Sequence, residues 1–202
     1  MNEMFSISPS GEKFQLPKDE DYKAEFEKLR MRIEAERTSG REIVVVIGIG
    51  FVGAVMAAIV ADTVDKAGKS SKFVIGMQRP SPRSFWKIPL LNRGISPVKA
   101  EDPEVEPMIA RCVNDKKTLI ATYTYEVLKL ADVVVVDVQC DYIKEELGNV
   151  RSGQTDMAAL EASLGVIAEH IPPKALVLIE TTVAPGTTEQ VAYPIMKKAF
   201  RK

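Results

Sequence analysis

A run of 19 residues from Ile43 to Ala61, IVVVIGIGFVGAVMAAIVA, carries no charged side chain. At helical rise it is long enough to cross a bilayer. Its glycines argue against that reading. Gly48, Gly50 and Gly53 have the spacing G-x-G-x-x-G, and they fall where a β-branched run gives way to a small-residue, helix-forming run. A spanning helix needs no such placement, and the other apolar runs of the chain need this segment as the middle of a sheet. The stretch therefore reads as strand, glycine turn and helix. Gly48 permits the tight turn, Gly50 leaves a pyrophosphate room against the backbone, and Gly53 lets the helix pack closely on the sheet. The helix opening at Phe51 and Val52 would point its free N–H groups at the phosphates.

The rest of the chain supports a sheet. SKFVIGM, KTLIATY, DVVVVDV and ALVLIET read as four further strands, and the third of these is too continuously apolar to have one face in water. Helical patterns lie between them: FVGAVMAAIVADTVDKAG, a helix start at EDPEVEPMIARCV with Asp102 as cap, a short EVLKLA, and the amphipathic MAALEASLGVIAEHI. A last helix follows APGTTEQ, where Thr187 and Gln190 have capping-box spacing. QRPSPRSFWKIPLLNRGISPV, with four prolines, reads as a long irregular connection, and its Phe85 and Trp86 as rings buried over the sheet edge. DYIKEELGNVRSGQTD reads as polar and partly loop. The alternation predicts a doubly wound, mostly parallel Rossmann-like α/β sheet with helices on both faces and strand order 3-2-1-4-5. Ahead of it, residues 1–19 read as an arm or a poorly ordered lead-in. Phe26, Leu29 and Ile33 then mark a narrow-striped helix ending near Gly40, lying on the domain or on a partner.

Composition narrows the function classes. With 27 basic and 28 acidic residues the net charge is -1, which leaves no excess of positive charge for a nucleic-acid backbone. Cys112 and Cys140, with His170 as the single histidine, are too few for a metal site built on these ligand types, and they read as reduced thiols in a cytoplasmic protein. The opening MNEMFSISPSGEKF has neither the basic start nor the apolar run of a signal peptide.

The second strand ends in GMQRPSPR, where an NAD site of this design carries an acid that accepts hydrogen bonds from the ribose. Gln78 holds that position and can bond the ribose without charge. Arg79 and Arg83 could accommodate a 2′-phosphate, so the residues leave NAD and NADP both open.

LIETTVAPGTTEQVAYPI, from Leu178 to Ile195, resembles the strand–turn–helix signature of the UDP-glucose/GDP-mannose dehydrogenase family, whose members read ESTVPPGTT there. VIGIGFVG, LNRG and ADVVVVDV extend the resemblance over roughly Glu42 to Arg201, the family's N-terminal NAD-binding domain. The resemblance implies NAD as cofactor and, for the whole enzyme, two-step oxidation of the C6 alcohol of a nucleotide sugar to a carboxylate through a cysteine thioester. It places Gly48, Gly50 and Gly53 in the pyrophosphate loop and Gln78 at the ribose, with Arg83 matching a basic residue often found five positions later. Val138 and Cys140 fall in the family's C-V-P-T-P turn, read here as D-V-Q-C-D, so that Cys140 replaces a threonine beside the nicotinamide. Thr181 and Thr182 match the serine and threonine of the S-T-V-P turn.

The same resemblance implies that the catalytic cysteine, with its lysine and asparagine helpers, belongs beyond residue 202. No catalytic residue and no metal ligand is therefore expected in these residues, and Cys112 and Cys140 are poor candidates for the nucleophile. Asp137, Asp141 and Glu180 are read as structural or solvated. The expected organisation is an arm and helix over 1–40 and a dinucleotide-binding domain over 41–202, reaching its nucleotide-sugar substrate through a C-terminal half not contained in this sequence. Family members commonly dimerise through their central region, so a homodimer is one expectation. A stand-alone dinucleotide-binding module without chemistry is the alternative function. Another Rossmann enzyme, such as a hydroxyacid dehydrogenase, is disfavoured by ETTVAPGTTEQ.

Overall fold

The computed structural model describes residues 4–149 and 152–200; Val150 and Arg151 of the polar insertion, with 1–3 and 201–202 of the two ends, lie outside the described residues. In chain order the elements are β1 (Phe5–Ile7), β2 (Lys13–Gln15), α1 (Asp19–Thr38), β3 (Glu42–Ile47), α2 (Phe51–Asp62), β4 (Lys72–Met77), α3 (Lys87–Asn92) and α4 (Val105–Asn114). β5 (Leu119–Thr122), a 3-10 turn (Tyr125–Leu130), β6 (Val133–Val136), β7 (Asp141–Ile143), β8 (Gln154–Asp156), α5 (Ala158–His170), β9 (Leu176–Ile179), a π-helical turn (Thr188–Ala192) and α6 (Tyr193–Ala199) follow.

Five strands form the central sheet in the order β5-β4-β3-β6-β9, every neighbouring pair parallel. This is the predicted 3-2-1-4-5 order. Side chains alternate across it as strand geometry requires. Ile43, Val45, Ile47, Phe73, Ile75, Val134 and Val136 face one side, where α1, the 3-10 turn and α5 supply Leu29, Ile33, Leu128, Leu160, Leu164 and Ile167. Val44, Val46, Val74 and Val135 face the other, where the alanines of α2 and Ile88, Leu91, Ile109 and Cys112 from α3 and α4 cover them. Both faces being buried explains why β6 is apolar at every position and β3 at every position after Glu42. The uncharged run is thus divided between β3 and a 12-residue helix, and no helix of the described residues is long and apolar enough to cross a membrane.

Helix α1 lies on the domain: Leu29 and Ile33 are buried in the core, and Arg32 sits 5.3 Å from the centre of the Phe73 ring. It ends at Ser39, with Gly40 at φ +85° taking the left-handed position that follows many helices.

Four expectations need correction. Residues 5–15 are an antiparallel hairpin rather than an unordered arm. Buried Ser6 anchors it, donating to the Pro82 carbonyl at 2.9 Å and accepting from the Trp86 N–H at 3.1 Å, while Glu12 and Arg93 pair through both guanidinium nitrogens. The proline-rich connection contains α3, because Pro89 sits in a first turn where a missing N–H costs nothing. Phe85 within it meets Tyr123 edge-on at 5.9 Å, but it and Trp86 are half-buried rather than buried as expected. Thr187 and Gln190 form no capping box. Thr187 is already helical (φ -57°, ψ -41°), so its hydroxyl turns back to donate to the Ala184 carbonyl at 2.7 Å. Helix α4 also begins later than the cap residue suggested, at Val105, with Asp102 closing the preceding turn through the Glu104 N–H.

The two outer strands differ. β5 is sealed at its middle by Asn92, whose side-chain amide donates to the Ala121 carbonyl at 2.9 Å and accepts the Ala121 N–H at 2.6 Å. Among the described residues β9 has no strand on its outer side.

Asp62, at the end of α2, receives Arg111 at 2.7 Å and Lys116 at 2.7 Å and so ties α2 to α4. The Arg111 hydrogen bonds, then those of Lys116, hold its carboxyl far below the ordinary value, against the opposing effect of burial. A depressed folded-state pKa stabilises above the unfolded value and is lost as pH falls through the folded one. Asp62→Asn is therefore expected to lower stability by about 1–2 kcal/mol at neutral pH, the pair being partly solvent-screened. In urea titrations the gap to wild type should close steadily below about pH 4.

Candidate functional site

The site is built where the sheet's direction of winding reverses. β3 pairs with β4 on one side and β6 on the other, and the chain leaves β3 and β6 towards opposite layers, so their carboxyl ends part to form a crevice. The glycine turn lies at this point. Gly48 has φ +92°, a conformation L side chains rarely adopt, and a Cβ there would lie 2.2 Å from the Asp137 carbonyl oxygen. At Gly53 a Cβ would lie 1.8 Å from the Gly48 carbonyl oxygen, so this glycine sets the approach of α2 to the turn. A Cβ on Gly50 would meet nothing within 4 Å. Gly50 begins α2 with no side chain of its own to cap it, and the Gly53 N–H of the first turn is directed at Asp137.

Gly50, Phe51, Val52, Cys140, Thr181 and Thr182, all anticipated from sequence, line one cleft of about 400 Å³. Phe51 and Val52 are 64% and 52% exposed, large apolar side chains held at its rim. Gln78 does not line it. Its side-chain oxygen accepts the Ile49 N–H at 3.2 Å, bracing the glycine turn from the β4 side. Arg79 and Arg83 are exposed; the Arg79 carbonyl accepts the Ser84 hydroxyl at 3.1 Å and the Arg83 carbonyl the Trp86 ring N–H at 3.0 Å. Thr181 donates to the Val138 carbonyl at 2.6 Å, so its hydroxyl hydrogen is already engaged. The Cys140 thiol donates to the Asp156 carbonyl at 3.5 Å, joining the turn after β6 to β8.

The residue that sequence reading undervalued is Asp137. It lines the cleft with Gln139 and Glu180, and its Oδ2 lies 2.7 Å from where a Gly53 Cβ would stand. Burial, and then the neighbouring charge of Glu180, push its carboxyl above the ordinary range, while the Gly53 N–H directed at it works the other way. The signal was present in the sequence as an acid directly after the VVVV strand, at the carboxyl end of the strand next to the glycine turn.

Neither cysteine is arranged as a nucleophile. Cys112 is buried beneath α2, and burial followed by the Asp62 charge pushes its thiol up to about 11. The Nδ1 of His170 is bonded to the Val166 carbonyl at 2.8 Å, and no group of three His, Cys, Asp or Glu among the described residues could hold a metal ion.

A parallel sheet of this order, with a glycine turn and a helix start at the winding reversal, defines a Rossmann-like α/β protein. Residues 42–202 match the model of the UDP-glucose/GDP-mannose dehydrogenase family, NAD binding domain, and the chain belongs to that family, which implies NAD(P) binding. Among solved structures it is similar to the NDP-N-acetyl-D-galactosaminuronic acid dehydrogenase of Methanosarcina mazei Go1, at 29% identity and a TM-score of 0.68 over 84% of this chain and 33% of that one. It is similar also to the UDP-D-ManNAc dehydrogenase of Pyrococcus horikoshii, at 26% identity and a TM-score of 0.60 over 78% of this chain and 32% of that one. GDP-mannose dehydrogenase of Pseudomonas aeruginosa shares the fold, at 24% identity and a TM-score of 0.62 over 79% and 33% of the two chains. The chain thus spans about a third of the length of these solved relatives. No curated protein matches it.

Proposed function

We propose that residues 41–202 serve as the NAD-binding domain of a cytoplasmic nucleotide-sugar 6-dehydrogenase, with the 1–40 hairpin and helix laid against it. The observation that carries this reading is the open space at Gly50, bounded by an uncapped helix start and by a turn that only glycine fits. In this reading Gly48, Gly50 and Gly53 admit the pyrophosphate, and the N–H groups at the start of α2 bond it. Gln78 and the exposed Arg79 and Arg83 stand at the ribose end; Val138, Cys140, Thr181 and Thr182 border the nicotinamide end. Bound NAD would supply a hydride acceptor, and the protein's part is to orient it and screen its charge. The nucleotide sugar and the thioester-forming cysteine are assigned to polypeptide outside these residues. The alternative, a dinucleotide-binding module without chemistry, shares the same binding step.

Asp137 opposes that step. An ionised carboxylate beside Gly53 repels a diphosphate seated on the turn, and protonation removes the repulsion. Because its carboxyl titrates above the ordinary range, NAD affinity should rise as pH is lowered through that value. The test is calorimetric titration of wild type and Asp137→Asn with NAD and NADP at one ionic strength. Saturable NAD binding is expected, tighter by about tenfold in D137N, since removing a like charge at this range is worth roughly 1–2 kcal/mol in a partly solvated cleft. Stronger binding of NADP would assign the ribose end to Arg79 and Arg83. Absence of binding by both proteins would overturn the reading.

A further inference from the structure

Ser6 occupies an unusual place in the N-terminal hairpin. Its neighbours Phe5 and Ile7 are 42% and 53% exposed, yet Ser6 itself is fully buried. An inward position on a strand ordinarily takes an apolar side chain. Here it takes a hydroxyl, and that hydroxyl is spent on one turn of a connection distant in sequence. It donates to the Pro82 carbonyl at 2.9 Å and accepts the Trp86 N–H at 3.1 Å, so its two partners bracket Arg83. The other strand of the hairpin grips the same connection further on. Glu12 pairs with Arg93 through both guanidinium nitrogens, and the Phe14 ring centre lies 5.9 Å from the same guanidinium. The hairpin precedes the 42–202 match, so this grip is made by chain outside the family's domain.

The gripped turn is also fixed from within. Ser84 donates to the Arg79 carbonyl at 3.1 Å and so accepts from Ser81 at 2.7 Å. The Phe85 N–H bonds the Ser81 carbonyl at 3.0 Å, and the Trp86 ring N–H donates to the Arg83 carbonyl at 3.0 Å. Around both arginines the backbone is engaged, while their guanidinium groups are exposed. Arg30, Arg32, Arg37, Arg41, Arg93 and Arg111 each have a carboxylate partner. Among the described residues Arg79 and Arg83 alone of the arginines make no ion pair. A cation carried on a rigid scaffold gives up little freedom on meeting an anion.

We propose that the N-terminal hairpin clamps the cofactor site: Ser6 is a positioning residue that holds Arg79 and Arg83 against the adenosine half of the bound dinucleotide. The inference rests on the dinucleotide reading given above, which puts this turn, directly after Gln78 at the end of β4, at the ribose end. Ser6 touches no cofactor atom itself. Its hydroxyl fixes both ends of the turn, and the two unpaired guanidinium groups meet the ribose and phosphate of the adenosine half. The clamp serves NAD and NADP alike.

A thermodynamic cycle in NAD affinity tests the clamp, read by calorimetry on the whole chain at one ionic strength. Ser6→Ala is expected to bind NAD about tenfold more weakly, the order that misplacing a preorganised contact costs. Arg79→Met combined with Arg83→Met should lose at least as much. All three substitutions together should bind no more weakly than the double arginine variant, because Ser6 then has nothing left to position. Ile7→Ala, on the exposed face of the same strand, should bind as the wild type does. If Ser6→Ala does not fold, Glu12→Gln, which loosens the hairpin from an exposed side, takes its place in the same cycle. Wild-type affinity in Ser6→Ala, or losses at Ser6 and at the arginines that simply add, would make the hairpin a structural brace and overturn the inference while the dinucleotide site stands. Absence of NAD binding by the wild type would overturn the site reading, and the clamp with it.

Discussion

Gly48→Ala is expected to destabilise the protein by roughly 2–5 kcal/mol and to abolish dinucleotide binding. Two costs combine. The residue sits at φ +92°, where an L side chain is strained by about 1–2 kcal/mol. Its new Cβ would also stand 2.2 Å from the Asp137 carbonyl oxygen, and the obstacle is backbone rather than a side chain that can swing away. Relieving such an overlap by moving the turn costs typically about 1–3 kcal/mol. The turn cannot move without shifting β6 or the start of α2, which together form the crevice. Urea titration reads the stability loss and calorimetry the binding loss. Gly50→Ala is the informative control: its Cβ meets nothing within 4 Å, so the fold should be intact while affinity falls, since the methyl enters the space assigned to the pyrophosphate. If Gly50→Ala binds NAD as wild type does, the pyrophosphate does not lie there.

Phe73→Ala should cost about 3–5 kcal/mol, the range for deleting a fully buried ring. Phe73 lies in β4, fully buried in the core cluster on the α1 face of the sheet, and the Arg32 guanidinium of α1 rests over its ring. The loss is therefore shared between the sheet and the attachment of α1. Thermal unfolding of a chain this size shifts by roughly 2–4 °C per kcal/mol, so a fall in Tm of the order of 10 °C is expected. Phe73→Leu, which keeps most of the buried volume, should fall by less than half as much. Equal losses for the two variants would mean that the ring's packing is not what holds α1.

The sheet was legible in the chain because β3, β4, β6 and β9 are short β-branched or aliphatic runs separated by helical patterns, and the reversal point was legible because glycine spacing records backbone geometry directly. What escaped reading depends on contacts distant in sequence. β1 and β2 are three residues each, too short for a pattern, and Ser6 anchors them to Pro82 and Trp86 some 80 positions away. α3 was hidden by Pro89, whose effect is reversed by a place in the first turn. Thr187 and Gln190 matched a cap pattern that depends on a φ/ψ value the sequence does not carry. At the site, the glycines and Thr181 were visible through motif and resemblance. Asp137 was visible only as a charge; its position against Gly53 follows from the register of β6 on β3, which no local pattern encodes.

An outer strand with free backbone groups can recruit a strand of another chain, the route to filaments. At β5 the amide of Asn92 already occupies the donor and acceptor of Ala121, standing in for a neighbouring strand. A side chain within a proline-rich connection thus guards that edge against addition.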